Sequence, residues 1–347
     1  MMRMRLYCEF RTRARRDGEL RRGRSAVAIL ARFVLALTLL WCVQGVAQPW
    51  PSRPIRLIVP FPPGGTTDLV ARLVQPYLQQ SLGTVIVVDN RGGASGAIGA
   101  GLAARAVPDG YTFLLVWDTH AINPSVIPNL PYDTTKDLAP IMLIGTSAMV
   151  IATHPATAYR SLKDMIGAAR AKPGAVSYGT PGAGSIPHLM GALLANTTKT
   201  TLTHVPYKGA GPLAVDALAG HVPVSIASVA LYSPHVQAGR LRALAVTSAK
   251  RASQFPDVPT ISEEVVPGLV ADSWWGLLAP AHTPGSIMSR MHDEFAKALR
   301  APVLQERWNQ NGLVIVASAP AEFGAFLASE IERWGKVVRE NGITIGQ

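Results

Sequence analysis

The sequence predicts an α/β protein of two lobes with a ligand site between them. Three observations carry this. Units of strand, glycine-rich turn and helix recur along the chain; two of them, with turns PFPPGG and TPGAGS, lie about 115 residues apart; and one long apolar stretch, APIMLIGTSAMVIATHP, has the length of a strand crossing between lobes. In such sheets ligands bind outside the carboxyl ends of the strands.

The chain has 347 residues, 48% of them hydrophobic and 16% charged, which suits a globular core of two ordinary domains. Its net charge of +11 is concentrated at one end: residues 1–47 hold ten Arg against three acids, Glu9, Asp17 and Glu19, leaving +4 for the rest. The remaining Lys and Arg are scattered and not interleaved with aromatics, so no nucleic-acid partner is expected. After Arg32 comes FVLALTLLWCV, then QGVAQ with Gly45 and Ala47 placed as at a signal-peptidase site. Residues 1–47 therefore read as a secretory signal removed near Ala47, giving a soluble periplasmic protein. A retained anchor is the alternative, although the run is short of the ~20 residues a span needs. Arg21 and Arg22 raise a twin-arginine route, which their flanks support poorly. Both cysteines, Cys8 and Cys42, fall in this leader, so the mature chain has no disulfide, thiol nucleophile or cysteine-held metal; Trp41 makes Cys42 a poor lipidation site.

The elements follow in order. IRLIV reads as a strand, and TTDLVARLVQPYLQQSLG as a helix that Pro76 kinks or ends early and Gly83 stops. TVIVVDN is a strand, RGGASGAIGAGLAARA a glycine-rich turn and small-residue helix, YTFLLVWD a strand, and THAINPSVIPNLPYD a loop. After the crossing strand, SLKDMIGAARAKPG is helix and cap, AVSYG strand, IPHLMGALLANTT helix, LTHVPY strand, GPLAVDALAG helix, and VPVSIAS and LRALAVTS strands. Residues 252–286 are rich in Pro and Gly; two helical stretches, SIMSRMHDEFAKALR and PAEFGAFLASEIERWGKVVRENG, follow.

The turn PPGGTTD lacks both the lysine and the Gly-Lys-Ser/Thr ending of a nucleotide phosphate loop, and the reversed spacing of GAIGAG makes helix packing its better reading. Neither Ser95 in GASG nor Ser185 in AGSIP fits a nucleophile elbow, although Ser185, His188 and Asp216 can be written as a triad for an α/β hydrolase. The histidines show no metal-ligand spacing. No catalytic residue, metal or cofactor is expected. What remains is a site for an anion: the amides of Gly64, Gly65 and Thr66 precede one helix, and those of Gly182, Ala183, Gly184 and Ser185 another, where unpaired N–H groups and the helix dipole suit a carboxylate. Asp68 either caps its helix or meets a ligand amine. Phe61 is core or a lid over an apolar ligand; Thr119 and His120 follow a strand at the cleft or are structural; Trp274 and Trp275 line a pocket or pack a hinge, packing being favoured.

The segments PFPPGGTTDLVARL, VVDNRGGASGAIGA, PDGYTFLL, NPSVIPNLPYDTTKDLAPI, YGTPGAGSIPHL, VPYKGAGPLAVDALAGHV, GRLRALAVTSAKR, PDVPTISE and WWGLLAPAHTPG, in this order over residues 50–345, resemble the Bug family, the periplasmic substrate-binding proteins of tripartite tricarboxylate transporters. The resemblance implies a Venus flytrap whose lobes, 50–148 with 272–347 and 149–271, are joined by crossing strands and close on a small carboxylate. It assigns Phe61, Gly64, Gly65 and Asp68 to one ligand-facing loop, Thr180, Gly184, Ser185 and His188 to the other, and Thr119 and His120 less securely. It further implies a monomer that delivers its ligand to membrane permease subunits or signals to a sensor kinase. Gly92 stands where the family usually has Pro, His282 where Gly is common, and the first residues of SIASVALYSPHVQAGR are less typical, so the distal ligand contacts are where departure is expected.

Overall fold

Ten strands make one curled sheet in the computed structural model, which describes residues 49–340, 342 and 343. The leader, its cysteines and its cleavage site lie outside the described residues. β1 (Ile55–Val59) pairs in parallel with β2 (Ile86–Asn90) and β3 (Thr112–Trp117). At the far end β5 (Val176–Thr180) pairs in parallel with β6 (Leu202–Pro206) and β7 (Val224–Ser228). Between these ends run β4 (Leu138–Thr153) and β9 (Asp272–Pro280), antiparallel to each other, in the order β2-β1-β3-β9-β4-β7-β5-β6; β8 (Arg242–Val246) and β10 (Val314–Ile315) pair with β4 off that path. The sheet is thus mixed: the strand–turn–helix units pair in parallel, and β4 and β9 run antiparallel to their neighbours.

β4 is the expected crossing strand. Leu138–Ala148 pair with β9, and Met149–Thr153 with β7 and β8, so a single sixteen-residue strand runs from one half of the sheet into the other. Ile55, Leu57, Ile58 and Val59 of β1 are buried, as are all five residues of β7, because helices cover both faces. β9, which the Pro- and Gly-rich composition of 252–286 obscures, is buried over eight of its nine residues. On it Trp274 and Trp275 are packed: their Nε1 groups donate to Glu330 Oε2 at 3.1 Å and to Thr67 Oγ1 at 3.3 Å. His282 follows in the left-handed region, φ 67°, where glycine is easier.

Helices α1 (Thr66–Leu82), α2 (Ala97–Ala104), α3 (Thr119–Val126), α4 (Leu162–Ala171), α5 (Ile186–Thr198), α6 (Ala210–Ala219) and α7 (Val229–Gln237) fill the connections; α8 (Ile261–Glu264), α9 (Gly285–Leu299), α10 (Pro302–Gln310) and α11 (Pro320–Glu340) follow. Two expectations are corrected. Pro76 does not end α1 early, for the helix runs through it to Leu82: the proline is exposed, so the Arg72 carbonyl it leaves unpaired is open to water. The segment expected as a loop after β3 is helical over α3, because Ala121, Ile122 and Val126 share one face and are buried against α11 and the sheet, which outweighs Pro124.

Candidate functional site

α1, α3, α5, α6 and α7 each start where a strand ends, and their amino termini meet. Gly65, N-cap of α1, lies so close to α6 that a Cβ built on it would sit 3.5 Å from the Ala210 Cβ. Thr66 Oγ1 and Ser228 Oγ, the latter the N-cap side chain of α7, are 3.0 Å apart. Ser95 Oγ donates to the Ala183 carbonyl at 2.6 Å. α5 and α7 are capped by Ser185 and Ser228, but α1 and α6 start on Gly65 and Gly209 without a side-chain cap. Their first-turn amides have no acceptor within the helix, so uncapped donors and the positive ends of two dipoles face each other. Gly209 has φ 121° and ψ 171°, a conformation essentially reserved for glycine, and a Cβ there would press within 3.0 Å of Pro62 Cδ.

Beside this junction lies a cavity of about 660 Å³, lined by Phe61, Pro62 and the segments 92–96, 181–183 and 207–209. An adjoining recess is lined by Phe61, Gly65, Thr66, Thr67, Trp117, Pro181, Ala210 and Ser228. Phe61 packs edge-on to Trp117, ring centroids 5.7 Å apart, so its ring is both core and wall. The buried Trp117 Nε1 has no hydrogen-bond partner. Ala94 and Ser95, at φ 46° and 52°, hold a left-handed turn against the cavity, and Ser95 is fixed there by its bond to Ala183 and by Asn123 Nδ2 on its carbonyl at 3.1 Å.

Of the residues singled out in the sequence, Phe61, Gly65, Thr66 and Gly182 line these spaces. Gly64, Asp68, Thr180, Gly184, Ser185 and His188 shape the loops instead. The Gly64 N–H is engaged by Asp68 Oδ2 at 3.1 Å, and the Gly184 N–H by His188 Nδ1 at 3.1 Å, so neither is a spare donor. Asp68, 4% exposed, also accepts from Arg72 Nε at 2.9 Å and Asn90 Nδ2 at 3.1 Å. Burial opposes its ionisation, but the bonds from Arg72, Gly64 and Asn90 prevail and hold it below the usual carboxylate range. Thr180 Oγ1 bonds Gly182 O at 3.2 Å and lies 2.6 Å from His204 Nε2. His204 stacks on His188 at 3.8 Å; burial pushes His188 down to about 4, and burial plus the neighbouring ring pushes His204 to about 3, so both are neutral near pH 7.

Ser185 Oγ donates to Gly182 O at 2.7 Å and caps the His188 amide at 3.4 Å, while Asp216 is held by Tyr207 and His221. The paper triad is three separate local structures. Thr119 and His120 lie in α3 beside a small recess shared with Ser95, Gly96 and Trp117; His120 is 2% exposed, stacks on Tyr132, and is lowered by burial to about 3. At the end of β3, burial pushes the fully buried Asp118 carboxyl well above the usual carboxylate range. Four wall elements carry no ligand-site signal that the sequence reading used: the turn Tyr207-Lys208-Gly209; the turn 92–96; Ser228; and Trp117. The first had a legible signal, a glycine pair before a helix in YKGAGP.

A two-lobed α/β binding protein of the periplasmic type, with a cavity beside the junction of the helix starts, is the class this fold defines. The chain belongs to the tripartite tricarboxylate transporter receptor family, whose sequence profile it matches over residues 70–343. BugT of Bordetella pertussis is 37% identical over 320 residues, covering 90% of this chain and 98% of BugT. The periplasmic binding protein BugD superposes with a TM-score of 0.82 at 30% identity, covering 85% of this chain and 99% of BugD. The R. palustris protein Rpa4515, solved with adipate, superposes with a TM-score of 0.82 at 35% identity, over 85% of this chain and 99% of that one. The family is one of solute-binding receptors.

Proposed function

We infer that this chain is an extracytoplasmic receptor that captures one small carboxylate between its lobes and releases it to the membrane permease subunits of a tripartite tricarboxylate transporter. The observation that carries this is the meeting of the uncapped starts of α1 and α6 beside a cavity, with the neighbouring Asp68 carboxylate tied down by Arg72, Gly64 and Asn90. The lobes are 50–148 with 272–347 and 149–271, and β4 and β9 are the hinge strands. Gly65, Thr66 and Gly182 face the ligand with Phe61; Gly64, Asp68, Thr180, Gly184, Ser185 and His188 hold the two loops; Thr119 and His120 back the recess from α3. Charged hydrogen bonds contribute about 1.5–3 kcal/mol each, so three or four supply much of the ~8 kcal/mol of a micromolar complex. The chain works as a periplasmic monomer after removal of residues 1–47 near Ala47, without catalysis or cofactor.

The test is thermal unfolding of residues 48–347, stripped of carried-over ligand, against a panel of carboxylates. One acid at a hundred times its dissociation constant raises stability by about 2.7 kcal/mol. No shift with any carboxylate overturns the reading.

A further inference from the structure

We propose that Asp118 takes up a proton from solvent as the lobes close on a carboxylate, and releases it as they part. This rests on the carboxylate reading and the lobe boundaries above and adds what they leave open, how the affinity responds to pH. Among the side-chain contacts that join the two lobes are Thr66 Oγ1 with Ser228 Oγ at 3.0 Å, Ser95 Oγ with Ala183 O at 2.6 Å, and Asp118 Oδ1, which accepts the Ile186 N–H at 3.5 Å. Of these groups only Asp118 is titratable. Its carboxyl, at the end of β3, meets the first amide of α5, which has no acceptor within its own helix. Parting the lobes breaks this contact and brings water to the carboxyl from the α5 side.

With the lobes together the carboxyl is fully buried, and Oδ2 has no hydrogen-bond partner. Asp68, equally buried, is held ionised by three donors, one of them an arginine; Asp118 has the single long contact from Ile186. An ionised carboxyl so placed is costly, and the neutral acid is favoured. The groups around it supply no compensating cation. From β9 comes the Ser273 hydroxyl, and from α11 the Glu330 carboxyl, whose like charge adds to burial in pushing Asp118 up. Arg333 is committed to Glu330 at 3.5 Å and to the Val270 carbonyl at 2.8 Å, and it is also the charged neighbour of Asp272. On α3, His120 stacks on Tyr132; on α5, His188 takes the Gly184 N–H and stacks on His204; burial keeps both rings neutral near pH 7. Water at the parted seam restores the ordinary carboxylate range, so closing takes up a proton and the receptor binds more tightly as the pH falls.

The experiment is calorimetry of succinate, malate and adipate binding to wild type, Asp118→Asn and Asp118→Ser at pH 6, 7 and 8. Each titration is run in two buffers of different ionisation heat, which counts the protons exchanged. Protons exchanged by the ligand or by the histidines are common to the three proteins and cancel in the comparison. The expected result is that wild type takes up about one proton more per ligand than either variant at pH 6, and that its affinity relative to theirs falls about tenfold per unit as the pH rises from there. Equal proton counts in wild type and variants overturn the assignment to Asp118 while leaving the carboxylate reading intact. A wild-type affinity that does not rise between pH 8 and 6 does the same, without reference to the variants. Wild type that binds none of the three acids overturns both.

Discussion

Asp68→Ala separates a loop anchor from a ligand contact. The carboxylate holds the Gly64 amide, the Asn90 side chain and Arg72 together in front of α1, at 3.1, 3.1 and 2.9 Å. Each hydrogen bond to a charged group contributes about 1.5–3 kcal/mol. The Arg72 side chain is 51% exposed, so its share falls to under ~1 kcal/mol, and water replaces part of the bond at the exposed Gly64. The expected loss is about 3 kcal/mol, or roughly 6–12 °C in Tm at about 2–4 °C per kcal/mol. Carboxylate affinity falls as well, because the glycine turn loses its tie. Urea unfolding and calorimetry on the same preparations give both quantities. A variant with wild-type stability that has lost binding alone would refute the reasoning and return Asp68 to the ligand. The sign with pH is fixed too: a carboxyl lowered by folding contributes its stability above the unfolded value of 3.8, and loses it as pH falls through the still lower folded value.

Ser95→Ala removes the 2.6 Å bond to Ala183, so ligand affinity drops about threefold to tenfold while Tm stays within about 2 °C; calorimetry and a thermal melt check this. His188 and His204 are pushed down to about 4 and about 3, so between pH 6.5 and 4 the unfolded chain binds more protons and stability falls with falling pH. His188→Gln flattens that slope in urea titrations at pH 4.5, 5.5 and 7. Gly276→Ala drives a methyl into the Phe323 ring and costs about 1–3 kcal/mol or more, measured by the urea midpoint with the slope unchanged.

The strand–turn–helix grammar and the crossing strand were legible because the apolar periods and the glycine punctuation lie within a few residues of one another. IRLIV, VSIAS and APIMLIGTSAMVIAT carry near-continuous burial in their composition. α3 and β9 were not legible for a different reason. Pro124, and the prolines around DSWWGLLAP, argue locally against regular structure, and only the packing of Ile122, Val126, Trp274 and Trp275 against distant helices overrules them. At the site, sequence found loops and misassigned atoms. Gly64 and Gly184 sit in the right turns, but their amides are engaged by Asp68 and His188, side chains four positions ahead. The third wall, at Lys208 and Gly209, requires knowing that the start of α6 is folded against Pro62 and Gly65, a long-range fact no spacing encodes.

Native mass spectrometry of the receptor as purified, with the bound molecule released and identified, tests the central claim most directly. The expected species is a one-to-one complex with a small carboxylic acid that rebinds the stripped protein and is displaced by an excess of the matching acid. A neutral sugar or a simple amine in that place, rebinding with equal strength, would contradict it.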